Sequence, residues 1–338
     1  MTLRDLALNS QLGNDELIVE YLSKSTPLLE DMLFKNGNQI DGHSFQVRSG
    51  LPAVGFRSIN QGVLPTRGSV STQRVTCSML EAVSEIDKKL IDLEDPDKRG
   101  ARELARLEES KGFIMAMGQR FARELWYGNA DFDPKGFDGL TKAYSDFNGP
   151  NGEYIIDCTE PMDSGSDYDN ASIWLIIHGS ESFFGVVPKN SKVGLQHEDS
   201  GFVDLTQYDD EGKARGTFRG YRDRYQWDVG LCVKDPRQIV RACNIDVRKL
   251  PTTATSSNIA SQLVYIMNTM TNRVQNLNAG RPVFYMNRTL KEYWEKQLLT
   301  NRYIEKNIDQ ATGKITITYK GIPIHVDDML LDTEERVG

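Results

Sequence analysis

The chain has 338 residues, a length that favours two hydrophobic cores, or one core with long appendages, and excludes a minimal disulfide-stabilised module. Hydrophobic residues make up 39% and charged residues 26% of the sequence, which is typical of a globular protein rather than a disordered one. Lys and Arg number 40 against 48 Asp and Glu, so the net charge is -8. This balance argues against a protein whose main work is to grip nucleic acid phosphates, because that work requires clustered cations.

The sequence also indicates the compartment in which the chain folds. Its longest apolar runs, such as 173–177, are far shorter than the roughly 20 residues needed to cross a bilayer. The N-terminus lacks the apolar segment and small-residue cleavage site of a secretory signal, so we expect folding in a cytoplasm. The four cysteines are scattered without CxxC spacing, and we interpret them as reduced, mostly buried thiols: Cys77, Cys158, Cys232 and Cys243.

The first 77 residues are predicted to form an arm and an extended loop. Residues 1–41 contain two short helical stretches, 15–22 and 27–34, each too short to bury a core of its own. Residues 42–77 alternate in polarity near both ends and carry Gly, Pro and Ser between them, which predicts a long two-stranded β-ribbon. Such a ribbon is marginally stable alone in water, so it needs a surface on which to lie.

The extended loop is purely cationic. Between Gly42 and Leu80 no Asp or Glu occurs, whereas four arginines do: Arg48, Arg57, Arg67 and Arg74. The next residues, 81–97, carry seven acidic residues against two lysines, and five of those acids define the acidic surface that we predict: Glu81, Glu85, Asp87, Asp92 and Glu94. The opposite charges can be used repeatedly only if the loop of one copy reaches the acidic surface of another. We therefore expect both sets in contacts between subunits.

A long helix is predicted to begin at the acidic surface. Ser78 and Glu81 fit a capping box, and apolar residues recur at three- and four-residue steps over the residues that follow. Asp95-Pro96 interrupts this stripe and fits the cap and first residue of a second helix, which continues to Gly128-Asn129. Together the two stretches span about 50 residues, against 11 to 12 in a mean helix, so we interpret them as a spine.

The rest of the chain mixes short strands and helices. Strands are predicted at 153–158, 173–178, 185–188 and 229–233, helices at 257–277 and 287–299, and closing strands at 314–319 and 322–326. Because strands and helices do not alternate in a βαβ register, the predicted fold class is α+β.

No catalytic or cofactor-binding constellation emerges from the sequence. Neither phosphate-binding glycine motif occurs, and the histidines are dispersed: His43, His178, His197 and His325. His178 and Ser180 suggest a Ser/His pair, but the nucleophile elbow GxSxG is absent, and a structural histidine is the better interpretation. We therefore predict no catalytic residue, no cofactor and no metal ion.

Three further clusters can each be interpreted either as a ligand-binding site or as an ordinary structural feature. The turn that holds Asp163, Asp167 and Asp169 does not match an EF-hand loop, so a solvated turn is favoured over a calcium site. Residues 197–199, His-Glu-Asp, are consecutive and cannot easily converge on one metal ion, so a loop is favoured. Residues 219–224 interleave arginine with tyrosine as a nucleic-acid contact would, but nearby Asp residues dilute the charge and favour a contact between subunits.

Three sets of motifs follow one another in a specific order. They are Met79-Leu80-Glu81 with Glu85-Ile86-Asp87 and Leu125-Trp126-Tyr127-Gly128-Asn129; Ser172-Ile173-Trp174 with 185–197; and Tyr225-Gln226-Trp227 with Gly230-Leu231 and 241–246. With the arm, extended loop and spine, this order resembles the major capsid proteins of tailed double-stranded DNA bacteriophages with the Hong Kong 97-like fold. The short-tailed phage subgroup is most similar, and the resemblance covers nearly the whole chain.

The resemblance implies a structural virion protein rather than an enzyme. It implies self-assembly into hexamers and pentamers of an icosahedral shell that encloses double-stranded DNA, in the bacterial host cytoplasm. Implied partners are further copies of the chain, a scaffolding protein, a portal protein, optionally a decoration protein, and DNA held by weak non-specific contact; no membrane is involved. The implied parts are the N-terminal arm (1–41), extended loop (42–77), spine helix and peripheral domain (78–130), mainly axial domain (131–300), and return strand with the C-terminus (301–338).

Two departures from the common family pattern matter. A Gly-Ile-Pro-Ile strand, here 321–324, usually precedes the strand that resembles 174–177, but here it comes last, so we expect a permuted strand order. Some relatives join their subunits by an isopeptide bond from a lysine in the extended loop. Because no lysine occurs between Lys35 and Lys88, we expect non-covalent reinforcement instead. The chain also has no long helical prodomain, which implies a separate scaffolding protein.

Two alternatives to the capsid interpretation stay open at this point. A compartment of the same fold that encloses enzymes rather than a genome would share every element. An α+β hydrolase that uses His178 and a nearby acid belongs to a different functional class.

Overall fold

The computed structural model describes residues 27–89, 101–159, 169–191, 194–209, 212–250, 262–301, 305–308 and 315–338. The α-helices in these ranges are α1 (Pro27–Asp31), α2 (Ala101–Tyr127), α3 (Leu140–Ala143), α4 (Gln262–Arg273) and α5 (Arg288–Asn301). The strands are β1 (Phe34–Asn36), β2 (Gly42–Gly50), β3 (Ser69–Thr76), β4 (Ser78–Asp87), β5 (Ile155–Asp157), β6 (Asn170–His178), β7 (Phe183–Val187), β8 (Gln196–Tyr208), β9 (Ala214–Val233), β10 (Ile239–Asp246), β11 (Arg281–Met286), β12 (Glu305–Ile308), β13 (Ile315–Tyr319) and β14 (Ile322–Val326). This mixture confirms the predicted α+β class.

Most strands join one large sheet. Its order is β12-β13-β14-β11-β6-β7-β9-β4, with β1 beside β7, β10 beside β6, β5 beside β10 and β8 beside β9. Parallel pairs (β11 with β14, β1 with β7) and antiparallel pairs (β6 with β10, β7 with β9) both occur. The extended loop forms a separate two-stranded sheet from β2 and β3.

The core lies on both sides of β6, whose residues are all buried. Successive side chains of a strand point to opposite faces, so an apolar run of this length needs cover on both. Trp174 and Ile176 pack in a cluster with the apolar face of α2, whereas Leu175 and Ile177 pack in a second cluster with residues of α4 and α5. The central strand thereby joins two apolar layers.

The helix predicted from residue 78 is wrong, because residues 78–87 form strand β4, paired along its whole length with β9. The apolar residues Leu80, Val83 and Ile86 fit a helical stripe, but the alternation of Leu80, Ala82 and Ser84 fits a strand equally well. Pairing with β9 decides between them, and it leaves Val83 on the exposed face. The predicted capping box does not form, since Glu81 instead pairs with Arg224.

The second part of the predicted spine is correct. Helix α2 has 27 residues and ends at Tyr127, directly before the Gly128 predicted to stop it. Its buried stripe holds Ile114, Met117 and Phe121 at the expected helical spacing. The Asp95-Pro96 cap lies outside the described residues.

The remaining predicted elements differ mainly at their ends. In the arm, the helix predicted at 27–34 stops at Asp31, and Phe34 instead begins β1 beside β7; the helix predicted at 15–22 lies outside the described residues. Downstream, the predicted strands and helices occur with shifted bounds, except the last strand, which was predicted at 322–326 and spans Ile322–Val326. Residues 257–261 of one predicted helix and residue 314 of one predicted strand lie outside the described residues. Strand β8 and the first half of β9 were not predicted, because their largely exposed residues give little apolar alternation.

A buried ion pair fastens the segment around Glu334 to the core. The side chains of Arg241 and Glu334 are 1% and 5% exposed, and Arg241 Nη2 lies 2.9 Å from Glu334 Oε2. The other two nitrogen atoms of Arg241 also donate, Nε to Ser172 Oγ at 3.1 Å and Nη1 to the Tyr144 carbonyl at 2.7 Å. The Tyr127 hydroxyl donates to Glu334 Oε1 at 2.6 Å. These hydrogen bonds offset the desolvation of both charges and link α2, β6 and β10.

Removing one partner of this pair should strongly destabilise the subunit. Glu334→Ala leaves the Arg241 guanidinium buried without a counter-ion, so the free energy of unfolding should fall by about 3–5 kcal/mol. Chemical denaturation of the unassembled subunit measures the loss. The matched control, Arg288→Ala, removes an exposed pair with Asp328 and should cause no measurable loss. Equal effects of the two substitutions would contradict the role assigned to the buried pair.

Candidate functional site: surfaces for assembly

The base of the extended loop is anchored to the core. Strands β2 and β3 pair antiparallel along their length, which confirms the predicted ribbon. Phe45, on β2, is buried in a small cluster with Phe184, Val186 and Cys232 of β7 and β9. The loop therefore leaves the core at a fixed place.

The tip of the loop, residues 51–68, exposes a row of large apolar side chains. Each of five is at least 80% exposed: Leu51, Val54, Phe56, Ile59 and Leu64. No strand or helix forms in the tip, where a turn closed by the Gln61 amide and the Ser58 carbonyl (3.1 Å) contributes local order. The sequence interpretation rested on the arginines and missed these apolar residues. The sequence pattern that could have identified them is the recurrence of large apolar residues in a segment that has neither a helical nor a strand period.

The four arginines of the loop differ in their surroundings. Arg48, Arg57 and Arg67 are exposed. Arg74, near the base, instead pairs with Asp41 of the same chain. All four predicted contact residues are therefore presented to solvent, and Arg74 in addition has a carboxylate partner in its own chain.

The predicted acidic surface lies on β4 rather than on a helix. Glu81 pairs with Arg224 at 2.6 Å, and Glu85 pairs with Arg222 at 2.7 Å, both across to β9. Asp87 ends the strand and accepts a hydrogen bond from the Lys89 amide at 2.8 Å. Asp92 and Glu94 lie outside the described residues. The described part of the surface is thus partly neutralised by the chain's own arginines.

The outward face of β4 combines these carboxylates with apolar side chains. Glu81, Val83 and Glu85 alternate along one face, and Met79 begins it. Met79 is 84% and Val83 40% exposed. The opposite face of the sheet packs against α2, so the outward face presents apolar side chains together with these carboxylates and the arginines that pair with them.

The arginines of the 219–224 segment are used within the chain. Arg219 pairs with Asp204 of β8 at 3.2 Å, and Arg222 and Arg224 pair with the carboxylates of β4. Cross-strand pairs of opposite charge stabilise a sheet by a few tenths to about 1 kcal/mol each. Their local role is therefore to join β8, β9 and β4.

Asp223 is the centre of a polar network between α2 and this sheet. Its carboxylate accepts hydrogen bonds from Arg106 Nη2 at 2.6 Å and Nε at 3.1 Å, and lies 2.9 Å from His197 Nε2. Arg106 also pairs with Asp199 at 2.7 Å. Burial alone would raise the pKa of Asp223, but the hydrogen bonds from His197 and Arg106 hold it below its usual value.

Aromatic packing completes the contact between α2 and β9. Phe121 of α2 lies with its ring centroid 4.4 Å from that of Trp227, and Phe113 stacks on Tyr225 at 6.3 Å. Such pairs add to the apolar burial beneath the helix. The His197 ring stacks on Tyr225 at 5.0 Å, and Asp199 pairs with Arg106 of α2. No group of metal-binding side chains occurs among the described residues.

His178 is a buried structural residue. It is 2% exposed, and its Nε2 lies 2.8 Å from the Tyr285 hydroxyl rather than near a serine nucleophile. Burial is the main cause that lowers the pKa of His178 to about 4, so the ring is neutral at pH 7. The Asp163 to Asp169 turn lies mostly outside the described residues.

The cysteines match the expectation of reduced, mostly buried thiols. Cys158, Cys232 and Cys243 are buried and Cys77 is half-buried, and none forms a disulfide. Burial raises the pKa of Cys77, Cys232 and Cys243 to about 12, which suppresses the reactive thiolate.

The fold with its extended loop and spine helix is that of a phage capsid protein of the Hong Kong 97-like type. A chain from the structure of bacteriophage Epsilon15 aligns with a TM-score of 0.68 at 27% identity, over 91% of this chain and 88% of that chain. The bacteriophage JBD30 capsid aligns with a TM-score of 0.47 at 11% identity, over 91% of both chains. The SrpI encapsulin complex of Synechococcus elongatus PCC 7942 gives a TM-score of 0.39 at 11% identity, over 65% of this chain and 87% of that chain.

The chain belongs to the family of the major capsid protein GP7, whose family model matches residues 10–338. No curated protein matches the chain significantly. The protein is therefore a structural, non-enzymatic component of a bacteriophage capsid that assembles with copies of itself into the virion shell. Family membership excludes the hydrolase alternative.

No helix in the described part of the chain is long and apolar enough to span a membrane.

The stabilising effect of Asp223 should depend on pH. Because its folded pKa lies below the unfolded value of about 3.9, its ionised form adds stability above that pH and loses it as the pH falls through the folded pKa. Asp223→Asn should therefore lower the free energy of unfolding by about 1.5–3 kcal/mol near pH 7, and by less below pH 4. Urea denaturation between pH 3 and 7 measures this difference.

The matched control for this experiment is Asp204→Asn, which removes only the exposed pair with Arg219. It should change the free energy of unfolding little at any pH. An effect of Asp223→Asn that grew toward low pH would contradict the assigned network.

Proposed function

We propose that this chain forms the hexamers and pentamers of an icosahedral shell around double-stranded DNA, and that the extended loop of each subunit lies across a neighbouring copy. The observation that carries the proposal is the tip at 51–68, where five large apolar side chains are each at least 80% exposed. A monomer rarely keeps such a patch exposed, since apolar surface of this kind marks an interaction site.

The outward face of β4 on the neighbouring copy fits the loop tip. The tip offers apolar side chains with Arg57 and Arg67, and the face offers Met79 and Val83 between carboxylates. Burying one large apolar side chain contributes roughly 1.5–3 kcal/mol, whereas an exposed ion pair contributes about 0–1 kcal/mol. Apolar contact therefore supplies most of the affinity, and the charges set the register.

The acidic residues can serve this contact although two are paired within the chain. The side chains of Glu81 and Glu85 are still 42% and 37% exposed, and a carboxylate can accept from two guanidinium groups at once. Asp87, Asp92 and Glu94 extend the same acidic stretch. The contact we propose is thus a shared network rather than a set of isolated pairs.

The proposed assembly has further partners. A scaffolding protein would guide curvature, a portal protein would occupy one vertex, and a decoration protein is an option for reinforcement. Assembly would take place in the bacterial host cytoplasm. Each subunit would consist of the N-terminal arm (1–41), the extended loop (42–77), the spine helix and peripheral domain (78–130), a mainly axial domain (131–300), and the return strand with the C-terminus (301–338). The net charge of -8 supports weak, non-specific contact with the packaged DNA, because a wall that held phosphates tightly would oppose packaging and ejection.

A compartment that encloses enzymes is the second candidate, because the same loop and sheet would serve it equally. The contents of the particle distinguish the two. Electron micrographs of the expressed protein, with and without a co-expressed scaffolding protein, test closed-shell assembly, and nuclease-protected DNA in particles from infected cells tests genome enclosure. Protein that stays monomeric under every condition would refute the proposal.

Replacing apolar residues of the tip should impair assembly without unfolding the subunit. Phe56→Ser with Leu64→Ser removes two side chains that are exposed in the single chain, so the free energy of unfolding should not change. The protein concentration needed for assembly should rise at least tenfold, since each lost contact is worth roughly 1.5–3 kcal/mol. Sedimentation and electron microscopy measure both effects.

Two variants sharpen the tip experiment. Met79→Ser on the outward face of β4 should reproduce the assembly defect. Phe132→Ser removes an equally exposed aromatic residue outside the loop and should assemble as the unaltered chain does. If Phe132→Ser impaired assembly as much as the tip variant, the tip would have no special role.

Subunits from mature shells should migrate as single bands in denaturing, reducing gels. The absence of lysine between Lys35 and Lys88 removes the amine that an isopeptide bond from the loop would require. A ladder of covalent oligomers would contradict non-covalent reinforcement.

A further inference from the structure

Asp31, the last residue of α1, is buried where the arm meets the large sheet. Its side chain is 1% exposed, and Oδ2 accepts a hydrogen bond from the Tyr285 hydroxyl at 2.6 Å and lies 2.6 Å from His325 Nδ1. Arg281 Nη2 lies 2.8 Å from Oδ1, as an ion pair rather than an aligned hydrogen bond. One carboxylate thus connects the arm to strands β11 and β14.

The network continues from Tyr285 to His178 of β6. Because the Tyr285 hydroxyl donates its proton to Asp31, it must accept from His178, so the neutral ring carries its proton on Nε2. Nδ1 of His178 is buried and has no hydrogen-bond partner among the described residues. Protonating His178 would place a second N–H at that atom, where no acceptor meets it, and such burial of an unpaired charge is unfavourable.

The segment that Asp31 holds supports the extended loop. Leu28, Leu29 and Met32 bury apolar surface beside it. Strand β1 follows and pairs parallel to β7, and the Gly37 amide then donates to the Val187 carbonyl at 2.7 Å before the loop begins. The contacts of α1 and β1 therefore hold the chain directly before the point at which the loop begins.

We infer that Asp31 fastens the arm segment 27–36 to the sheet through an acid-sensitive latch formed with Tyr285, His178 and His325. The latch closes at neutral pH, when Asp31 is ionised and His178 is neutral. Acid opens it by protonating His178 and then Asp31. This inference concerns the single subunit and does not depend on the proposed loop contact.

The charged and titratable groups around the latch determine whether the pKa values of Asp31 and His178 are raised or lowered. Burial would raise the pKa of Asp31, but hydrogen bonds from His325 and Tyr285 and the charge of Arg281 hold it below its usual value. Burial lowers the pKa of His178 to about 4. The charge of Asp31 opposes this lowering, whereas the charges of Arg281 and His325 add to it. Asp327, which interacts with Tyr285, stays uncharged to a higher pH because burial raises its pKa.

Both lowered pKa values make the closed latch less favourable in acid. A histidine whose pKa is lower when the latch is closed than when it is open favours closure at higher pH. The opening equilibrium should therefore rise as the pH falls toward about 4, where His178 is protonated. Protonation of Asp31 adds to the opening below about pH 4.

Hydrogen exchange of the full chain tests the latch. The protection of amides in residues 27–36, corrected for the intrinsic exchange rate at each pH, should fall steeply between pH 6.5 and 4, whereas that of residues 114–127 in α2 should not. His178→Gln keeps a donor toward Tyr285 but cannot titrate in this range, so it should flatten the dependence between pH 6.5 and 4. Asp31→Asn should lower protection of the arm segment at pH 7 by about tenfold or more.

Two controls keep the test decisive. His197→Gln alters a histidine beneath α2 and should leave the pH dependence of the arm segment unchanged. Tyr285→Phe keeps the ring but removes the hydroxyl between Asp31 and His178, so it should lower protection of the arm segment even if His178→Gln fails to fold. An unchanged pH dependence in His178→Gln, or equal loss of protection in α2, would overturn the latch.

Discussion

The pairing of β9 with three other strands is the constraint on which the rest of the structure depends. Its last residues pair with β7 in the core, and its middle pairs with β4 on one side and β8 on the other. Gly220 permits the end of β4 to approach, because a Cβ there would lie 2.3 Å from the Ile86 carbonyl oxygen. One continuous strand thus connects the part of the sheet formed by β4 and β8, against which α2 packs, to the apolar layers around β6.

Buried and exposed polar contacts both add to this framework, and they differ in how much stability is lost when one is removed. The buried groups, Asp223 beneath α2 and the Arg241–Glu334 pair, connect elements that are distant in sequence and are costly to disturb. The exposed pairs along β4 and β9 are individually weak and remain accessible. A shell protein benefits from the combination, because its interior stays fixed while surface charges can be shared with a neighbour.

Local patterns predicted the extended loop and the end of α2, since alternation and Gly128 are local signals. They failed at 78–87, where apolar residues spaced three apart fit a helix and a strand equally, and pairing with β9 decides. The Asp223 network could not be predicted either, because Arg106, His197 and Asp223 are brought together by tertiary packing. The apolar tip was missed because exposed apolar residues without a period resemble an ordinary loop until their exposure is seen.

The cationic loop without lysine also makes the molecule chemically selective. Reagents that acylate amines will modify lysines elsewhere and leave residues 36–87 untouched, whereas arginine-directed dicarbonyl reagents will reach Arg48, Arg57 and Arg67. Dyes or ligands can therefore be attached through lysine while the loop itself stays unmodified. Protection of the same arginines on assembly would provide a footprint of the contact that needs no substitution in the chain.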